Sequence, residues 1–508
     1  MTMAGESNAV LSLQHPLLLP LLTAAKSSDA KEALQALASA ARSDAGRSDL
    51  ASKNVLPDVL RFVRSLPCPE HLVLALRLLR NLCAGEIANQ NSFLDFNGAG
   101  IISAALVSAG LNPDSGPVII RAGLQVLANV GLAGVEHQRA IWDEFFPKVF
   151  IAIGSIGRKE ISDPLCMILY ACCDGSPALF SQLVGEEGLP VVVEIVKTAS
   201  LVGFEEDWLK LIVSRICIDE NLFHSLFPGL YRIGMSDDKG KATNSSTSFS
   251  SEQAYLLGMV SEILCERLEE IRTLSVDFAL CVLGIFKDSA DVLEQHVSGA
   301  KSKLPTGSAS IDILGYSLTV LKHICGIAFV EDSEEDVVSL LVSRGLLETL
   351  LGFLRILELP STIRRGTRGE GTERADTSFS GKPCPYIGFR RDIVGVIGNC
   401  SYRRKRVQDQ IRDANGLLLL LQQCVTDDDN PFLREWGIWA MRNVLEGNAE
   451  NQQAVAELEV QGTVQMPELG GLGLKVEVDQ KSGRAKLVNT SPSSLKPPSM
   501  SSSMDFDM

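Results

Sequence analysis

Residues 387–424 read IGFRRDIVGVIGNCSYRRKRVQDQIRDANGLLLLLQQC, and residues 425–458 continue VTDDDNPFLREWGIWAMRNVLEGNAENQQAVAEL. Two phrases in this stretch copy one another. Asn399 precedes Gln408 by nine positions and Asn443 precedes Gln452 by nine, each Asn following an apolar pair, Val396 with Ile397 and Ala440 with Met441. The copies lie 44 residues apart. The phrase also stands upstream, as Leu78-Leu79 before Asn81 with Gln90 and as Val126-Leu127 before Asn129 with Gln138. Cys173 and Gln182 make a looser copy. Asn97-Gly98 and Asn415-Gly416 each begin 16 residues after a motif Asn. A helical period of about 40 to 50 residues predicts an all-α armadillo or HEAT-like solenoid, right-handed and superhelical, of about nine to eleven repeats.

Composition agrees. A single compact core rarely grows past about 250–300 residues, so 508 residues require several domains or a stack that extends one core. Hydrophobic residues make up 45% and aromatics 6%, the balance of Leu and Ala packed helix on helix. A net charge of -15 argues against a general nucleic-acid binder, whose affinity comes from neutralising phosphates. Twelve Cys and six His form no CxxC, CxxH or HExxH. Cys83, Cys173 and Cys400 sit inside apolar helical runs, as buried thiols do. Neither a metal nor a cofactor is expected.

Residues 1–48 read as a lead with capping helices, KEALQALASAARSDA being the clearest. PLLLPLLTAA at 16–25 has two prolines and an acidic lead, which makes a poor secretory signal. Residues 49–358 read as armadillo-like helical repeats, with Pro67, Pro113, Pro147, Pro164 and Pro177 between helices or at their starts. A polar loop over 236–251 interrupts the stack. The apolar run Ile311 to Val330 contains Asp312, Lys322 and His323, too many charges for a membrane span. Residues 359–386, rich in Gly, Arg and Ser, read as a flexible insertion. Terminal repeats follow over 387–458, then a hairpin cap over 459–490 with a turn at Lys481-Ser482-Gly483. Residues 491–508 read as a disordered Ser/Pro tail. The chain is expected in the cytosol.

Within the terminal repeats, Asn430 before Pro431 predicts a helix start, with Asp427, Asp428 and Asp429 placed to suit the helix dipole. Phe432, Trp436, Trp439 and Asn443 then fall on one face. The rings read as core between repeats, or one ring and Asn443 line a groove in which the amide pairs with a bound peptide backbone. Arg403, Arg404, Lys405 and Arg406 read as a solvated inter-helix turn that complements the carbonyl end of the preceding helix. The alternative is a nuclear-import signal.

WAMRNVLEGNAENQQAV resembles the armadillo consensus, in which the third helix carries Trp and Asn four apart. In the peptide-binding nuclear import adaptors that Asn lines the concave face. Asn443 and Trp439 match it, whereas Asn81, Asn129 and Asn399 have Arg77, Gln125 and Gly395 at the Trp position. The longer stretch, through DDDNPFLREW and AMRNVLEGNAENQ, resembles the C-terminal domain of the ataxin-10 family. That resemblance implies a cytoplasmic armadillo scaffold without enzymatic activity, linked to cytokinesis and cell survival. The alternative is a transport or chaperone-type adaptor for linear peptides. Candidate partner-binding residues are Asn81, Asn129, Asn399, Asn443, Trp436, Trp439 and Arg442. The expected partners are other proteins, a second copy of the chain among them, and neither nucleic acid nor a membrane.

Overall fold

The computed structural model describes residues 28–110, 114–204, 207–231, 249–271, 273–295, 302–327, 336–367, 381–458, 474–478 and 485–489. It divides into two compact units, residues 1–291 with 305–327, and residues 292–304 with 328–508. Among the described residues the regular structure is helical apart from two short strands.

The first unit contains α1 Ser28–Ala40, α2 Asp44–Ser52, α3 Leu56–Arg64, α4 Pro69–Leu82, α5 Ile87–Asp95, α6 Gly98–Ala109, α7 Gly116–Gly131, α8 Val135–Phe145, α9 Lys148–Gly154 and α10 Lys159–Asp174. It continues with α11 Pro177–Leu183, α12 Leu189–Val202, α13 Trp208–Ser214, α14 Phe223–Gly229, α15 Ser251–Glu266 and α16 Val276–Asp288, and after α17 (Val292–Gln295, in the second unit) with α18 Ala309–Ile327. Every third helix packs on its predecessor, α1 on α4, then α7, α10 and α13, and the row goes on through α15 to α18. A parallel row runs α3, α6, α9, α12, α15. Helices flanked on two sides need a broad apolar band, and α4 supplies one: Leu72, Ala75, Leu76, Leu78, Leu79 and Leu82 are all buried. Each such Leu contributes roughly 2 kcal/mol of burial.

The Asn-Gly pairs begin helices. Asn97 adopts φ 51° and caps α6, its side chain accepting from the Gly100 amide. Asn415 takes the same left-handed geometry, at φ 54°, before the helix Gly416–Leu421, without a side-chain cap bond. Asn tolerates this left-handed geometry better than most residues. The glycines follow because a Cβ at Gly98 would sit 2.5 Å from the Phe93 ring, and one at Gly416 2.9 Å from Ile411.

The second unit adds α19 Val337–Ser343, α20 Leu346–Ile356, α21 Ser361–Thr367, α22 Phe389–Ser401, α23 Lys405–Asp413, α24 Gly416–Leu421, α25 Leu433–Leu445 and α26 Ala449–Ala456. Its centre is the packing of α22 against α25. Strands β1 Leu474–Val478 and β2 Ala485–Asn489 pair antiparallel, Val476 opposite Leu487. The turn expected at 481–483, the segment 459–473 that would join a cap to the last repeat, and the tail 491–508 lie outside the described residues.

Three expectations need correction. The stack is not broken at 236–251, most of which lies outside the described residues. Ser250 begins α15 with a capping box, its hydroxyl bonds the Leu230 carbonyl at 3.0 Å, and α13 packs on α15. Pro164 lies inside α10, where the bond its ring forfeits belongs to the Glu160 carbonyl near the exposed start of the helix. The 359–386 segment is ordered at both ends: α21 occupies 361–367, Lys382 exchanges backbone bonds with Ile356 and Glu358, and Tyr386 is buried. The remainder, 368–380, lies outside the described residues. The apolar run from Ile311 belongs to α18, where buried Asp312 accepts from the Thr306 amide and hydroxyl at 2.6 and 2.8 Å. No single helix among the described residues is long and apolar enough to cross a membrane.

Candidate partner-binding surface

The Asn and Gln of the repeated phrase tie neighbouring repeats together. Asn81 Nδ2 donates to the Ala38 carbonyl at 2.9 Å, Asn129 Nδ2 to that of Arg80 at 2.8 Å, and Asn443 Nδ2 to that of Gly398 at 2.9 Å. Asn399 is half-buried and also engaged. Nine residues on, each Gln turns back to the carbonyl two residues past its Asn: Gln90 to Cys83 at 3.0 Å, Gln138 to Gly131 at 3.1 Å, Gln408 to Ser401 at 3.3 Å and Gln452 to Leu445 at 2.8 Å. The last carbonyls of a helix have no partner within it, and the Gln amide supplies one from the next helix. Gln90 and Gln408 also donate forward, to the Asn129 carbonyl at 2.9 Å and the Asn443 carbonyl at 2.8 Å. The looser copy uses other chemistry. Arg215 donates to the Cys173 carbonyl at 2.9 Å with its guanidinium 3.9 Å over the Phe180 ring, and Gln182 accepts from the Trp142 indole at 2.7 Å.

On α25 the expectation that the rings form core is overturned. The buried stripe is Leu433, Gly437, Ala440, Met441 and Val444, with Asn443 beside it. Phe432 is 70%, Ile438 56% and Trp439 45% exposed, Trp436 is half-buried, and Arg442 lies over the Trp439 ring at 5.3 Å. The reason is close backbone approach. A Cβ at Gly398 on α22 would come within 3.2 Å of Ala440, and one at Gly437 within 2.5 Å of the Gln423 carbonyl. Only small residues fit that seam, so the rings take the outer side. Asn443 and Trp439 therefore face different surroundings, although Asn443 Oδ1 is buried without a partner.

Asn430 does not start α25. Phe432 holds the preceding position at φ 64°, and the Asn430 side-chain oxygen Oδ1 instead accepts from the Arg390 backbone amide, in the first turn of α22, at 2.9 Å. The acidic run crosses that helix start, the Asp429 carbonyl accepting from the Gly388 amide at 2.9 Å. Buried Arg390 contacts the Glu358 carbonyl, the Gln423 side chain at 3.2 Å and Asp427 at 3.8 Å. Arg390, Glu358, Asp427 and Asn430 line a cavity of about 280 Å³. The cluster at 403–406 is not wholly solvated either. Arg404 reaches the Asn399 and Tyr402 carbonyls at 3.4 Å and pairs with nearly buried Asp336 at 2.5 Å, whereas α23 begins at Lys405. Burial pushes the Asp336 carboxyl up, but the Ser339 amide and Arg404 together hold it below its ordinary value.

Cys83, Cys173 and Cys400 are buried, and burial pushes the Cys83 thiol up to about 12. Among the described residues no group of three His, Cys, Asp or Glu is arranged to hold a metal ion.

Residues 389–488 match the family model described as the spinocerebellar ataxia type 10 protein domain. Ataxin-10 of Macaca fascicularis is 25% identical over 431 residues, covering 83% of this chain and 82% of that one. Ataxin-10 of Xenopus tropicalis is 26% identical over 424 residues, 82% and 80% of the two chains. The ataxin-10 homolog of Dictyostelium discoideum is 38% identical over 102 residues, 20% of this chain and 17% of its own.

Proposed function

We propose, on the premise that the chain belongs to the ataxin-10 family, that it is a non-catalytic armadillo-type scaffold that binds folded protein partners in the cytosol. The observation that carries this reading is the outward face of α25. Phe432, Ile438, Trp439 and Arg442 stand exposed on a helix whose opposite side is held rigid by the Gly398 and Gly437 seam. Aromatic residues and Arg on a rigid support are the residues that anchor protein interfaces. A second copy of the chain is among the partners such a face admits. Cytokinesis and cell survival, which the family resemblance implies, are the processes in which we place it.

The test replaces the exposed rings and leaves the ties alone. Phe432→Ser with Trp439→Ala removes apolar area outside the buried stripe of α25, so melting is expected to stay within about 2 °C of the unaltered chain. Capture from native cytosol with each chain should show a defined partner set lost from the variant. If the variant melts normally and keeps every partner, this face is not the binding surface.

A further inference from the structure

The first unit carries a basic face that an acidic chain has no evident structural need for. Helices α4 and α7 together hold Arg77, Arg80 and Arg121 against one acid, Glu70, which Lys31 engages at 2.6 Å. Arg77 and Arg121 are exposed, as is Arg42 just beyond α1. None of these three forms an ion pair among the described residues. Half-buried Arg80 is fixed by neutral groups, its guanidinium donating to Gln125 Oε1 at 2.9 Å and to Asn81 Oδ1 at 3.1 and 3.3 Å. Its proton is held less tightly than usual, through burial and then through the positive charges of Arg77, Arg42 and Arg121. Four guanidiniums thus share one region of a molecule whose net charge is -15.

The same face runs into an apolar hollow. Arg121, Gln125, Ala128 and Leu132 follow one another at helical spacing along α7 and just past its end, so they share a side of the helix. Leu132 is 78% exposed. A cavity of about 260 Å³ opens there, lined by Leu127, Ala128, Leu132, Met167, Ala171 and Trp208. The tie from Asn129, which also lines the cavity, to the Arg80 carbonyl at 2.8 Å joins the basic and apolar parts into one surface.

We propose that this surface binds an acidic, extended segment of another protein that carries one apolar anchor side chain. The carboxylates pair with Arg42, Arg77, Arg80 and Arg121, and the anchor enters the hollow beside Leu132 and Trp208. Bidentate pairing of Arg with carboxylates gives direction as well as attraction. Packed helices lie about 8–10 Å apart, so the two steps from α4 to α10 span about 20 Å. An extended chain at about 3.3 Å per residue covers that in about six residues, which sets the spacing between acidic group and anchor. The proposal rests on the scaffold reading and names a second surface and partner class for it.

The experiment uses the full chain and a panel of fluorescein-labelled acidic peptides of about ten residues, each with one Leu, Phe or Trp at a varied distance from the acids, read by anisotropy. Expected are saturable binding by the members with an anchor about six residues from the acids, at least about tenfold weaker binding to Arg77→Glu with Arg121→Glu, and weaker binding as salt is raised. Leu132→Ser should weaken the anchored peptides and leave an anchorless acidic peptide unchanged. All three positions to be altered are exposed, and melting checks that the variants fold. The proposal is overturned if no panel member binds below about 1 mM, if the Arg variant binds equally, if a basic peptide binds as well, or if polyuridylate binds more tightly than every peptide. The last result would mark a nucleic-acid surface. The α25 variants of the preceding section should bind these peptides normally, so failure here leaves that reading standing.

Discussion

Gln408 and Gln452 occupy the same position in two copies of one sequence phrase, yet replacing each by Ala should have very different effects. Gln408 is 2% exposed, and its amide nitrogen faces the carbonyls of Asn443 at 2.8 Å, Glu446 at 3.2 Å and Ser401 at 3.3 Å. Two hydrogens can serve two of these fully. Its oxygen accepts from Asn448 Nδ2 at 3.2 Å, and Asn448 retains Asp409 at 2.9 Å when Gln408 is gone. At about 1 kcal/mol net for each bond, and more where a buried carbonyl is left without a donor, Gln408→Ala costs about 3 kcal/mol. Gln452 is exposed and makes one bond, to Leu445 at 2.8 Å, so Gln452→Ala costs about 0.5 kcal/mol or less. Native-state hydrogen exchange on the amides of α25 reads the difference locally. The opening equilibrium should rise about 100-fold in the first variant and at most about threefold in the second. Exchange that changes alike in the two would refute the reasoning, because burial and the bonds with Asn443, Glu446 and Asn448 distinguish Gln408 from Gln452.

Two glycines make an opposed pair. Gly437→Ala puts a Cβ 2.5 Å from the Gln423 carbonyl, against backbone that cannot swing aside, and should destabilise the second unit by about 2 kcal/mol. Gly352→Ala in α20 meets nothing within 4 Å and should stabilise it by up to about 1 kcal/mol. Urea denaturation of the two chains checks both signs. The Asp336–Arg404 pair, with side chains 6% and 12% exposed, makes stability depend on pH. Because the folded carboxyl is held below its unfolded value, its contribution is fully present above about pH 4 and is lost as pH falls through the folded value. Asp336→Asn leaves Arg404 nearly buried and without its charge partner, and should cost about 3 kcal/mol at neutral pH. The loss should shrink in unfolding curves taken toward pH 3, and a loss that does not vary with pH would count against the pair.

Much of this architecture is legible in the sequence, but for reasons the sequence alone assigns ambiguously. The Asn and Gln nine apart mark the end of one helix and the start of the next, since the Gln must reach the carbonyl two residues past the Asn. The spacing reveals the repeat. It does not reveal that Asn81, Asn129 and Asn443 direct their amide hydrogens at backbone inside the stack. Asn430 shows the opposite difficulty. An Asn before Pro reads as a local cap, whereas its partner is Arg390, 40 residues earlier in the chain, and no local pattern carries that pairing. The rings of α25 were hidden by a symmetry of the helix itself. It has two apolar stripes, and hydrophobic periodicity cannot say which is buried. Gly437 and Ala440 decide the matter, because close backbone approach demands the small stripe inside.

The ties also explain how one repeat phrase can serve unlike surfaces. Asn81, Asn129 and Asn443 each tie their helix to the previous one, and that in turn fixes which neighbours point outward. The position four residues earlier is Arg77 before Asn81, Gln125 before Asn129 and Trp439 before Asn443. The position one residue earlier is Arg80, Ala128 and Arg442. In the first unit these places build a basic face beside an apolar hollow, and in the second a Trp with Arg stacked over it. Arg80 and Gln125 bond one another between neighbouring helices, whereas Arg77, Trp439 and Arg442 stand on the exposed side and can change without loosening the stack. The recurring residues are therefore those that set the frame, and on the proposed reading partner choice resides in the residues that differ from copy to copy.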